Sequence, residues 1–184
     1  MSKKKVFRVH PACGRTLVVV MLAWIFSTTV VAQKKSKKKQ TATKDEIVLA
    51  EDEVSRYRIV VPSAATEQEL KAADVLQKYL LQISETAIPI IAADQSRSKY
   101  EIVLGQNDRL DELNLGLNLN TLKEDGFLIR TDSSRLIIVG GVEKGTLYGV
   151  YTFLEKYLGC RMYSPTVKVI PKHKRIALNT INDL

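Results

Sequence analysis

Between Asp125 and Pro165 the chain sets glycines, a polar turn and one apolar stripe in an order that few folds accept. Phe127 to Thr131 and Arg135 to Val139 are β-rich runs flanking Asp132-Ser133-Ser134, so they read as a hairpin. Gly140 and Gly141 then turn the chain into a helix predicted over Glu143–Tyr157. Its stripe is Leu147, Val150, Tyr151, Leu154 and Leu158, spaced as one helical face. Gly145 and Gly149 strip side chains from part of that helix, at about 1 kcal/mol per glycine. Close backbone packing is the natural compensation. Gly159 is placed to end the helix, and Arg161 to Tyr163 returns as a strand.

The upstream half supplies a second helix and more strands. Glu46 to Ala50 and Tyr57 to Val61 are short β-rich runs, the second stopped by Pro62. Thr66 and Glu69 form a capping-box pattern. Leu70, Ala73, Leu76, Leu80 and Ile83 continue it as an apolar stripe to Ser84. Ala72 and Ala73 would let that helix lie close on a sheet. Ile88 to Ala92 and Tyr100 to Leu104 are the next strands. Asn107 to Thr121 holds Gly116 and the asparagines 107, 114, 118 and 120, which predicts a surface excursion with a helical turn or two. Val167 to Ile170 and Arg175 to Leu178 close the series, with turns at Pro165 and Pro171. This order predicts an α+β fold, a two-layer sandwich whose mixed β-sheet carries two main helices on one face.

The N-terminus reads as an address. Lys3, Lys4, Lys5, Arg8 and Arg15 precede an apolar run from Leu17 to Val31, and Val30-Val31-Ala32 suits a signal peptidase. Residues 1–32 are therefore expected to be a signal peptide cut before Gln33. The run is too short for a comfortable span of roughly 20 residues, so no stable membrane span is expected after cleavage; an uncleaved anchor is the alternative. The destination is periplasmic, cell-surface or extracellular. Cys13 precedes the apolar run and cannot serve as a lipobox cysteine. Residues 33–44 are a Lys-rich solvated linker, and 45–184 form the folded domain.

The formal charge of +8 belongs to that leader and linker. Eleven of the 28 Lys and Arg residues precede Asp45, which leaves 17 against 20 acidic residues. Nucleic-acid binding would need basic residues gathered on the domain itself, so that class is set aside. Only Cys160 would survive cleavage, so no internal disulfide is available. A small buried thiol is the expected role.

Most catalytic patterns are missing. Gly140-Gly141-Val142-Glu143-Lys144-Gly145-Thr146 lies where a phosphate loop would, but Lys144 precedes the last glycine instead of following it. Turn formation and packing are the expected roles of these glycines. The acid clusters Glu51-Asp52-Glu53, Asp111-Glu112 and Glu124-Asp125 have polar neighbours and read as solvated surface. A glycosidase would need two carboxyls facing each other roughly 5–9.5 Å apart. His173 is the sole histidine of the expected mature chain, too few for a zinc site. No metal, cofactor or catalytic residue is assigned. Tyr79, Tyr148 and Tyr151 fall on or beside helical stripes. Tyr100 and Tyr163, with Arg161 between Cys160 and Met162, are the candidates for contact with a glycan or a neighbouring domain.

Ala72-Ala73-Asp74-Val75-Leu76-Gln77-Lys78-Tyr79-Leu80, Ile102-Val103-Leu104-Gly105 and the block from Asp125 to Pro165 together resemble the N-terminal domain of glycoside hydrolase family 67 α-glucuronidases. The small domain preceding the barrel in β-hexosaminidases is similar. The resemblance spans roughly Tyr57 to Leu178. It implies a non-catalytic accessory domain whose partner is a (β/α)8 catalytic barrel in cis or trans. It also implies a plant-polysaccharide context, such as glucuronic acid removal from xylan. Family members commonly carry an aromatic where this chain has Met162, and their catalytic carboxylates match no position here. The chain ends about where such a barrel should begin, so it is expected to stand alone or truncated. An exposed apolar patch near Leu178 to Leu184, or on the uncovered sheet face, would mark the docking side. An independent exported glycan-binding or interaction module is the alternative.

Overall fold

The computed structural model describes residues 46–184 apart from 114, 117, 143 and 165. The predicted leader and linker lie outside the described residues. The elements are β1 (Ile47–Glu51), β2 (Arg58–Val61), α1 (Glu67–Ser84), β3 (Ile90–Ala92), β4 (Glu101–Leu104), α2 (Asp108–Glu112), a 3-10 turn (Leu119–Leu122), β5 (Phe127–Asp132), β6 (Arg135–Gly140), α3 (Gly145–Lys156), β7 (Arg161–Met162), β8 (Lys168–Val169), β9 (Arg175–Leu178) and β10 (Asn182–Asp183). Six strands form one mixed sheet in the order β10-β5-β6-β4-β2-β3. In it β3, β2, β4 and β6 run parallel, while β5 runs antiparallel to both β6 and β10. The α+β class and the mixed sheet follow the sequence expectation.

Side-chain alternation divides the core. Ile59, Ile102, Leu104, Ile129, Leu136 and Ile138 join the inner residues of α1 and α3 in the larger cluster. Val103, Leu128, Ile137 and Val139 belong to the second cluster, with Leu110 of α2 and Leu122 of the 3-10 turn. Burial on both faces explains why Leu136-Ile137-Ile138-Val139 is continuously apolar. It also corrects the expectation of a sheet covered on one face. The two main helices do share a face, but the stretch predicted as a surface excursion caps part of the other.

Both predicted helix stripes face the core, with one residue of each, Leu70 and Tyr151, outside the buried set. On α1 the buried set is Ala72, Ala73, Leu76, Tyr79, Leu80, Ile83 and Ser84, and Leu70 in the first turn is exposed. The capping box forms: Glu69 N–H donates to Thr66 Oγ1 (3.2 Å) and Thr66 N–H to Glu69 Oε2 (2.9 Å). On α3, Phe153 is fully buried, whereas Tyr151 is half-buried. Gly149 lets the helix lie close, because a methyl there would press on Ile138 and Phe127 of the sheet. The glycine side of the helix, rather than the leucine stripe alone, meets the strands.

The C-terminal segment is also better tied down than expected. Leu178 and Ile181 are buried and only Leu184 is open, because β9 pairs with β1 and β10 adds to β5. The apolar patch foreseen there is not formed by these residues. Arg175 clamps the β1–β9 pair, donating to both carboxylate oxygens of Glu46 at 3.2 and 2.8 Å. That hydrogen bonding holds the Glu46 carboxyl below its ordinary value. A depressed folded-state pKa contributes stability above the unfolded value, about 4.3 for Glu, and loses it as pH falls through the folded value. Glu46→Gln should therefore lower the urea midpoint at pH 7 and leave it nearly unchanged at pH 2–3. An equal loss at both pH values would remove the ionic explanation.

Candidate functional site

The residues singled out from the sequence do not converge. Tyr100 is half-buried just before β4, edge-on to Tyr57 at 5.5 Å, with the Arg56 guanidinium 4.1 Å from its ring centre. The Tyr57 hydroxyl donates to Ser134 O at 2.8 Å, and burial pushes its pKa up to about 12. This aromatic pair packs the β5–β6 turn against the start of the sheet. Arg161 and Tyr163 share the β7–β8 hairpin. Arg161 folds back, donating to Glu155 O and Cys160 O, each at 2.9 Å, while Tyr163 is 70% exposed. Cys160 is fully buried, and burial raises its thiol pKa, which disfavours the nucleophilic thiolate.

The glycine-rich turn is already filled by its own backbone. Gly140 N–H donates to Thr146 Oγ1 (3.0 Å) and Gly141 N–H to Gly126 O (2.8 Å). Amides that would cradle a phosphate thus have partners. Beside this turn lies an open depression of about 930 Å³ lined by Gln106, Lys123, Glu124 and Asp125, among others. The members of all three acid clusters are exposed, as expected.

Sequence reasoning missed one acid altogether. Glu101 is 1% and Arg109 3% exposed, and they are paired in the sheet's second layer. Arg109 also donates to Ala93 O (3.1 Å), Gln95 O (2.9 Å) and Ser96 O (3.3 Å). Ser98 N–H donates to Glu101 Oε1 (2.7 Å). The pair stitches the 93–98 loop to β4, so its polar atoms face the chain rather than a ligand. Period-two alternation from Val103 was the available clue that Glu101 points inward.

A second groove, about 430 Å³, lies on the outer side of the helices. Tyr79, Tyr151, Glu155, Met162, Ser164 and Lys168 line it. Hairpin register sets Met162 opposite Lys168, and alternation sends Arg161 and Tyr163 to the other side. Tyr151 sits on its predicted stripe and Tyr79 beside its own. Tyr79 is buried in the core, as that placement implied, and Tyr151 packs partly buried against that core. Burial raises the Tyr79 pKa, with a further contribution from the nearby Tyr151. Among the described residues there is no group of three or more His, Cys, Asp or Glu that could hold a metal ion. Nor is any helix among them long and apolar enough to cross a membrane.

A mixed sheet with two helices on one face and a glycine-locked turn before the second helix defines an α+β domain. The family profile described as glycosyl hydrolase family 67 N-terminus matches residues 31–153. The chain belongs to that family. No curated protein sequence matches it. Among solved structures it is similar to a family GH115 4-O-methyl-α-glucuronidase with specificity for decorated arabinogalactans. That match has 16% identity and a TM-score of 0.49, covering 75% of this chain and 18% of that one. It is also similar to CpGH84D, at 13% identity and a TM-score of 0.49, covering 77% of this chain and 21% of that one. The chain thus spans about a fifth of the length of these structures.

Proposed function

We propose that this is a non-catalytic accessory domain of a secreted polysaccharide-degrading glycoside hydrolase. The enzyme would be α-glucuronidase-like, acting on xylan side chains. The domain's role would be to buttress a (β/α)8 barrel, in cis or in trans. The observation that carries this reading is the match to the N-terminal part of family 67 over residues 31–153. Two features of the surface agree with it. Several acids there are engaged in ion pairs: Glu112 with Arg97, Glu46 with Arg175 and Asp183 with Lys156. Tyr163, Val167 and Val169 give the β7–β8 hairpin an exposed apolar side, which a neighbouring domain could cover.

The test is an assay of the purified chain on aldouronic acids and an aryl glucuronide, with and without a family 67 catalytic barrel. No turnover is expected from the chain alone, and added barrel should bind it. Turnover by the chain that one Asp or Glu substitution abolishes would overturn the reading. Export has its own check. N-terminal sequencing of protein secreted from a bacterial host should begin at Gln33, and a mature product retaining Met1 would contradict it. A second reading, a glycan-binding module, is favoured by the groove between the two tyrosines.

A further inference from the structure

We propose that the groove formed by α1, α3 and the β7–β8 hairpin binds a neutral pyranose unit. The inference deepens the glycan-binding reading and stands whether or not the domain also supports a barrel. Its first support is the state of the two phenols. Tyr79 is 7% exposed and lines the groove together with half-buried Tyr151. Neither hydroxyl has a hydrogen-bond partner among the described residues. Both hydroxyls are instead open to the groove, since neither is among the buried side-chain atoms left without a partner. A sugar hydroxyl would both accept from and donate to such a phenol.

The second support is the arrangement of charge. Glu155 and Lys168 lie on the same rim, and Glu155 has its own cation, Arg161, at 3.8 Å. An anionic ligand would meet the Glu155 carboxylate, and a cationic one the Lys168 ammonium. A neutral polyol suits both, since each of its hydroxyls is donor and acceptor at once. The floor adds the apolar component: tyrosine rings and the Met162 thioether match the C–H face of a pyranose. The Lys168 ammonium also lies 5.9 Å from the Tyr79 ring centre. A cavity of about 430 Å³ falls within the roughly 300–1,000 Å³ usual for small-ligand sites. The two tyrosines stand on packed helices, so the site is held open before a ligand arrives.

The experiment is saturation-transfer NMR on the full chain. The probes are methyl β-xyloside, methyl α-glucoside and xylobiose, with methyl glucuronide and glucosamine as charged counterparts. Transfer to at least one neutral pyranoside is expected, and weaker transfer to both charged sugars. Tyr79→Phe, which removes only the hydroxyl, and Lys168→Met should each weaken binding about tenfold, a loss typical of one good hydrogen bond. Melting temperatures should remain unchanged. Tyr163→Ala, on the other side of the hairpin, should bind as the parent does. Absence of transfer from every neutral sugar at millimolar concentration would overturn the proposal. So would undiminished binding by both groove variants, or a preference for either charged sugar. The barrel assay has a separate readout, so failure here leaves the buttressing role standing.

Discussion

Gly140→Ala is expected to destabilise the domain by about 3 kcal/mol, the upper end for overpacking a closed interior. A methyl group at that position would collide with Thr146 N and with the Gly145 backbone. These are main-chain atoms, so no side chain can swing aside. The same turn is tight from other directions: a methyl on Gly141 would strike Lys123 O, and one on Gly145 would strike Gly126 O. None of these three glycines has a positive φ, so the penalty measures space rather than backbone strain. Gly116 provides the opposite control. Its φ is +63° and nothing lies within 4 Å of where a methyl would sit. Gly116→Ala should therefore cost about 1 kcal/mol, the left-handed backbone term. Chemical denaturation of the two variants separates the effects. A Gly140→Ala protein as stable as Gly116→Ala would show that the turn can open without loss.

The second large effect concerns Glu101 and Arg109. Removing one partner of a buried ion pair leaves an uncompensated charge, at about 3–5 kcal/mol. Arg109→Met should show that loss, because the Glu101 carboxylate would keep only Ser98 N–H and a distant Arg135, 3.5 Å away. Replacing both residues by apolar ones of similar volume often costs little. The double variant Glu101→Leu/Arg109→Met should therefore lose clearly less than the two single losses added together. The 93–98 loop should nevertheless become more open to proteolysis, since Arg109 holds its carbonyls. Arg97→Met, which breaks an exposed pair with Glu112, should change stability little. Additive losses in the double variant would exclude coupling between Glu101 and Arg109.

Much of this fold was legible because its signals are local. The Thr66–Glu69 capping box needs only four residues to satisfy each other, and it forms at the predicted place. The β5–β6 hairpin closes around Ser133 and Ser134, with Asp132 opposite Arg135. Cys160 is buried as its composition and neighbours implied. Where the reading shifted, the deciding contact came from far along the chain. Leu70 fits the helical stripe but lies outside the buried set. Phe153 joins the core beside the predicted stripe, and Gly149 lets α3 approach Ile138 and Phe127. The 107–121 stretch looked irregular, yet Leu110, with Leu122 just after it, closes a second layer against Val103, Leu128, Ile137 and Val139 of β4, β5 and β6.

The candidate site divides along the same line. Exposure of Tyr163 could be foreseen, since a short hairpin cannot bury both of its sides. The groove could not be, because Tyr79 and Tyr151 are 72 positions apart in the chain and Lys168 reaches them from a third element. By itself the sequence determined the order of the strands and main helices up to β9, the helix start at Thr66, the burial of Cys160 and the family, through patterns that neighbouring residues enforce. Only the tertiary structure decided that the glycine side of α3 presses on the sheet and that Glu101 meets Arg109. It alone decided which aromatic hydroxyls are left facing a cavity. These outcomes depend on how closely backbones approach across the sheet, and that distance is set by atoms remote in sequence.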